Sequence, residues 1–133
     1  MILIDTSAWI AVYRDRSGVC AKRMADAVGQ ERVATSDCIK CELLQGTSSD
    51  QEWASVLRAM GELIPIPLSA DDWIEAARIF YELQRQSLTV RSTIDCCIAQ
   101  LAMRTQSTLM HVDKDFERIA TVRPLKLLRL DTL

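Results

Sequence analysis

Four residues that are all apolar, followed at once by an acid, open the chain: Met1-Ile2-Leu3-Ile4-Asp5. A short uninterrupted apolar run reads as a strand buried on both faces, as in parallel sheets. In open α/β sheets ligands sit outside the carboxyl ends of the strands, and Asp5 would stand at that edge. Thr6 and Ser7 then start a helix whose apolar residues Trp9, Ile10, Val12 and Tyr13 recur at helical spacing. The pattern returns late in the chain, where Thr108-Leu109-Met110-His111 predicts a buried strand and Val112-Asp113 turns out of it.

Between these runs the chain alternates. Val19 to Val28 predicts a helix ended by Gly29, and a strand follows at Arg32 to Thr35. Ser36 and Asp37 offer caps for a helix through Gln45, with Ile39, Leu43 and Leu44 inward and Glu42 in its interior. The next helix runs from about Gln51 to Met60, with Trp53, Val56, Leu57 and Met60 on one side. Leu63 to Leu68 carries Pro65 and Pro67, so it is an edge strand or an extended connection. Ser69 to Asp72 cap the longest helix, which reaches about Gln86 and shows a stripe of Trp73, Ala77 and Phe80 that reads as core or partner surface rather than as a cofactor site. Ser92 or Thr93 caps a helix of Ile94 to Met103 that carries Asp95 near its start. A short helix ends near Ala120, and Leu125 to Leu130 predicts a last strand. Strands alternating with helices imply βαβ crossovers, a mostly parallel sheet and a three-layer α/β/α domain.

With 133 residues, 49% of them apolar, the chain fits a single domain spanning 1–133. A net charge of -2 gives no broad basic field, so any polyanion must be held locally. No apolar run approaches the roughly 18 residues of a membrane span, and no secretory leader is recognisable, so a cytosolic protein is expected. The five cysteines are an odd set that suits reduced thiols. Cys38-x-x-Cys41 lacks the second spaced pair of a structural zinc site, and the cysteines read as small hydrophobes.

The acids carry the chemistry. Asp5, Asp95 and Asp113 each lie at or near a helix start, where a capping role also fits, and Glu42 also fits a partly exposed helix face. Their convergence favours more. Asp5 and Asp113 follow parallel strands and emerge at one edge, and the first turn of a crossover helix places Asp95 at that same edge. Clustered carboxylates raise one another's pKa, and a divalent cation resolves the conflict. Mg²⁺ prefers such oxygen ligands together with phosphate oxygens, which points to phosphoryl transfer or phosphodiester hydrolysis.

Through Asp5-Thr6-Ser7, Glu42, Asp95 and His111-Val112-Asp113-Lys114-Asp115-Phe116, the whole chain resembles PIN-domain ribonucleases, specifically VapC toxins of toxin-antitoxin pairs. "ILIDTSAWI", "CELLQG", "IDCCIAQLA" and "LMHVDKDFERIA" match the family's four acidic motifs in order. The resemblance implies a PIN-like sheet of about four or five strands, Mg²⁺- or Mn²⁺-dependent endoribonuclease activity (tRNA is the family-level substrate), a homodimer, and inhibition by a VapB-type antitoxin. It makes Asp5, Glu42, Asp95 and Asp113 the catalytic, metal-binding quartet, with Asp115 and the hydroxyls of Thr6 or Ser7 in support. Cys96-Cys97 stand where the family commonly has alanine. Arg14, Lys40 and Arg91 are candidates to position an RNA backbone. His111 reads as structural rather than as an RNA contact.

Two other readings stay open. A phosphatase using Asp5 as nucleophile would want an acid two residues on, where this chain has Ser7. A non-catalytic binding module would use its acids as caps and offer the Trp53 and Trp73 surfaces to a partner.

Overall fold

Period-two burial in the strands organises the molecule. The computed structural model describes residues 1–133. Strand β1 (Ile2–Ile4) is buried throughout, with Leu3 packing into a core cluster of 20 buried residues and Ile2 and Ile4 into a second cluster of 6. Strand β4 (Thr108–His111) divides likewise, Leu109 to the larger core and Met110 to the smaller. A sheet buried on both faces needs helices on both, which gives the three layers.

The five strands, completed by β2 (Val33–Thr35), β3 (Ile64–Pro65) and β5 (Leu127–Arg129), run in the order β3-β2-β1-β4-β5, all parallel. Ile2, Leu3 and Ile4 pair with Thr108, Leu109 and Met110, so Asp5 and His111 leave adjacent strands at the same level. β3 lies on an edge, where Pro65 sacrifices no ladder bond to a further strand.

The helices are α1 (Thr6–Arg14), α2 (Val19–Val28), α3 (Asp37–Gln45), α4 (Asp50–Gly61), α5 (Ala70–Arg85), α6 (Thr93–Arg104) and α7 (Lys114–Ile119). Side-chain caps start most of them: Asp5 for α1, Ser36 for α3, Ser49 for α4, Ser92 for α6 and Asp113 for α7. Ser69 and Asp72 form a reciprocal capping box on α5. Gly18 and Gly29 bracket α2 at positive φ, where a side chain would be strained.

One open expectation is decided and two need correction. On α5 the inward face is Asp72, Ala76, Ile79 and Leu83, one position back from the Trp73–Ala77–Phe80 stripe, and Trp73 is 47% exposed. That face packs Ala76, Ile79 and Leu83 into the core, and Asp72 on it is satisfied by Arg104 Nε at 2.9 Å and Gln100 Nε2 at 3.3 Å from α6. On α4, Val56 and Met60 are buried while Trp53 and Leu57 face outward. The last strand is shorter than the apolar run, because Leu130–Thr132 closes into a 3-10 turn that packs Leu130 beside Ile2 and Ile4.

No helix is long and apolar enough to cross a membrane. All five cysteines are free thiols, with Cys96 and Cys97 buried inside α6 and Cys41 exposed.

Candidate active site

Asp5 has two oxygens with separate tasks. Its Oδ2 caps α1, accepting the Ser7 N–H at 2.9 Å and the Ser7 hydroxyl at 2.6 Å. Its Oδ1 is buried and has no hydrogen-bond partner. Burial pushes the Asp5 carboxyl above its ordinary pKa, the Ser7 bonds oppose that, and the charge of Glu42 adds to it. An ionised oxygen left bare in the interior is costly, so this atom is suited to a cation. Ser7 does a second job: its Oγ accepts the Val112 N–H at 2.9 Å, joining α1 to the turn that carries Asp113.

Asp113 divides its oxygens in the same way. Oδ1 caps α7 through the Asp115 N–H at 3.0 Å, and Oδ2 takes the Arg91 guanidinium at 2.7 Å. The Asp113 N–H donates to His111 Nδ1 at 3.0 Å, and burial, helped by the charge of Arg129, lowers the pKa of the ring. His111 is fully buried, consistent with a structural role.

Asp95, in the first turn of α6, is half-buried and is raised to about 7, first by burial and then by the charges of Asp5, Asp113, Asp115 and Glu42. Oxygens of Asp95, Asp113 and Asp115 lie within 4.8 Å of one another. Asp115 is the most engaged of the three: Oδ2 accepts the Arg91 N–H at 2.9 Å and faces Arg91 Nε at 3.4 Å, while Oδ1 meets Arg118 at 2.6 Å. Burial works to raise its pKa, but these donors together hold the carboxyl below its ordinary value. Glu42 reaches the group from α3, where its Oε1 accepts the Thr6 hydroxyl at 2.9 Å.

Every acid singled out in the sequence therefore comes to one sheet edge, although the tightest group is Asp95, Asp113 and Asp115, with Asp5 and Glu42 adjoining it. The capping alternative holds for Asp5 and Asp113 too, each through one oxygen, which leaves Asp5 Oδ1 without a partner and Asp113 Oδ2 on Arg91. Of the basic candidates, Arg91 touches the acids directly. Arg14 lines a groove with Glu42, and Lys40 faces Asp37 at 4.0 Å. Sequence reasoning passed over Lys114, Arg118 and Arg129, which line a polar cavity of about 650 Å³ together with Arg91, Asp113 and Asp115. The only sequence signal for them was their closeness to Asp113, and Arg129 lacked even that.

The PIN domain family matches residues 2–122. The chain belongs to the PIN-domain family. Within this family, Ribonuclease VapC11 of Mycobacterium tuberculosis is 36% identical over 95% of this PIN domain and 96% of its own length. The crystal structure of VapBC2 from Rickettsia felis bound to a DNA fragment from their promoter is similar in fold, with a TM-score of 0.78, 21% identity, and coverage of 97% of this PIN domain and 98% of that chain. Mycobacterium tuberculosis VapC20, described as a sarcin-ricin loop cleaving toxin, has a TM-score of 0.66 at 22% identity, over 88% of this PIN domain and 93% of that chain.

Proposed function

We propose that this PIN domain is the toxin of a VapBC pair and a metal-dependent endoribonuclease. The observation that carries the reading is the bare, buried Oδ1 of Asp5 beside an Asp95 raised to about 7, since both lack a positive partner in a pocket of carboxylates. Asp5, Asp95 and Asp113, with Glu42, are the residues to hold Mg²⁺ or Mn²⁺, and their all-oxygen donor set suits those ions. When bound, the ion would polarise the phosphate and lower the pKa of the attacking water.

The chain's own residues prepare that chemistry. Ser7 fixes the Asp5 carboxylate and the Val112 turn together, so that Asp5 and Asp113 keep their spacing. Thr6 holds Glu42 in place. Asp115, already saturated by Arg91 and Arg118, supports the site rather than coordinating. A phosphoenzyme route lacks its acid two residues after Asp5, where the chain has Ser7, whose hydroxyl donates to Asp5 and accepts from the Val112 N–H.

Substrate and partners are proposed by analogy with relatives. Structured RNA fits best, with tRNA the expected class. A VapB-type antitoxin and a second copy of the chain are the expected partners, in keeping with the toxin-antitoxin complexes that share the fold. The test is sequencing of RNA ends after expression of wild type and Asp5→Asn. Cleavage should require a divalent ion and vanish in Asp5→Asn, and undiminished turnover by a folded Asp5→Asn protein defeats the assignment.

A further inference from the structure

Arg91 sits where a metal would be expected to draw its ligand. Its guanidinium is 2.7 Å from Asp113 Oδ2, and Oδ1 of the same carboxylate is already committed to the α7 cap. A cation that recruits Asp113 must therefore take or share the oxygen that Arg91 holds. The arginine is built to leave. Its backbone N–H is fixed to Asp115 Oδ2 at 2.9 Å and its Nε lies on the same oxygen at a long 3.4 Å, while its side chain is 78% exposed, so the guanidinium can swing off Asp113 about a fixed root. An ion pair this exposed is weak, and a divalent charge arriving at Asp113 repels the guanidinium directly.

The space next to it is suited to receive it. Arg91 and Lys114 border the cavity of about 650 Å³, and Lys114 has no carboxylate partner of its own, whereas Arg118 is tied to Asp115 and Arg129 to Glu117 and Asp131. A guanidinium released from Asp113 and an unpaired ammonium in one polar cavity make a phosphate seat beside the acids.

We propose that Arg91 is an exchangeable counter-ion: it occupies Asp113 in the metal-free protein, competes with the divalent ion for that carboxylate, and on displacement joins Lys114 in holding an RNA phosphate next to the scissile one. This rests on the metal-nuclease reading above. Metal and RNA are then coupled through one side chain, and the coupling is reciprocal.

The first measurement is Mn²⁺ binding to RNA-free protein, read from the electron paramagnetic resonance of free Mn²⁺. Arg91→Ala should bind Mn²⁺ roughly three- to fivefold tighter, the upper end of the scale of a lost exposed ion pair. Lys114→Ala, which removes the same charge without touching Asp113, should stay within about twofold. Arg91→Lys should lie between wild type and Arg91→Ala. The second measurement is fluorescence anisotropy of a labelled phosphorothioate oligouridylate, a slowly hydrolysed probe, across a salt series. With Mg²⁺ present, Arg91→Ala should lower the salt slope by about 0.7, the value of one phosphate contact to a single strand. Without metal it should not change the slope. Mn²⁺ binding equally well, or less well, to Arg91→Ala overturns the inference alone, as does an unchanged slope in Mg²⁺. Mn²⁺ binding to neither protein removes this inference together with the reading beneath it.

Discussion

The Thr6 hydroxyl donates a 2.9 Å hydrogen bond to Glu42 Oε1 across 36 positions of sequence, joining the start of α1 to the middle of α3. Thr6 is almost wholly buried, so this bond is shielded and fixes the one acid of the group that lies in a helix interior, away from any strand end or first helical turn. Thr6→Val keeps the shape and removes the donor. Its expected effects are a stability loss of about 1 kcal/mol in urea denaturation and a roughly tenfold slower RNA cleavage at saturating Mg²⁺. Equal turnover in the two proteins would show that Glu42 needs no anchor.

Ser7 serves two groups, so its loss is felt twice. Ser7→Ala leaves Asp5 with the backbone N–H of residue 7 but strips the Val112 N–H of its acceptor. The bond is only part-buried, so its loss should lower the stability of the folded protein by about 1 kcal/mol, the low end of the cost of an unpartnered donor. Activity should fall as well, because the Asp5 and Asp113 segments are no longer joined by this hydroxyl. Chemical denaturation and single-turnover cleavage measure the two effects separately.

Asp95 sets a pH dependence whose sign is fixed. Its folded pKa, about 7, exceeds its ordinary value of 3.8, so the folded protein holds a proton that the unfolded chain has released. The stability it contributes is complete below about pH 4 and is lost as pH rises toward about 7 in the absence of metal. Asp95→Asn should flatten that fall. A divalent ion binds the ionised form, so the rise in melting temperature given by Mn²⁺ should be larger at about pH 8 than at about pH 5. Thermal shifts of wild type and Asp95→Asn at both pH values check this, and a Mn²⁺ effect independent of pH would contradict it.

Arg104 provides a control far from the chemistry. Its guanidinium holds the buried Asp72 at 2.9 Å and also donates to the Pro67 carbonyl at 2.7 Å. Arg104→Ala leaves Asp72 with Ser69 and Gln100, so the expected loss is about 1–3 kcal/mol in urea denaturation. Cleavage per folded molecule should stay unchanged. A matching loss of turnover would mean that the packing of α5 on α6 reaches the acids.

Much of this was legible in the chain itself. Apolar runs at Ile2–Ile4 and Leu109–Met110 specify buried strands, and the acids just past them must appear at one edge once the sheet is parallel. Serines and aspartates before helical periods mark helix starts through purely local hydrogen bonds. Such features act over a few residues, so sequence alone determined the element order, the layers, and the gathering of Asp5, Asp95 and Asp113. Which face of a helix is buried depends instead on partners distant in sequence: α5 buries Ala76, Ile79 and Leu83, with Asp72 met by Arg104 from 32 positions away. The same holds for Glu42, held by Thr6, and for Asp113, whose second oxygen is taken by Arg91 from 22 positions away. Those pairings are made by side chains meeting in space. Only the tertiary structure decided them, because hydrogen-bond partners far apart in sequence leave no periodic trace along it.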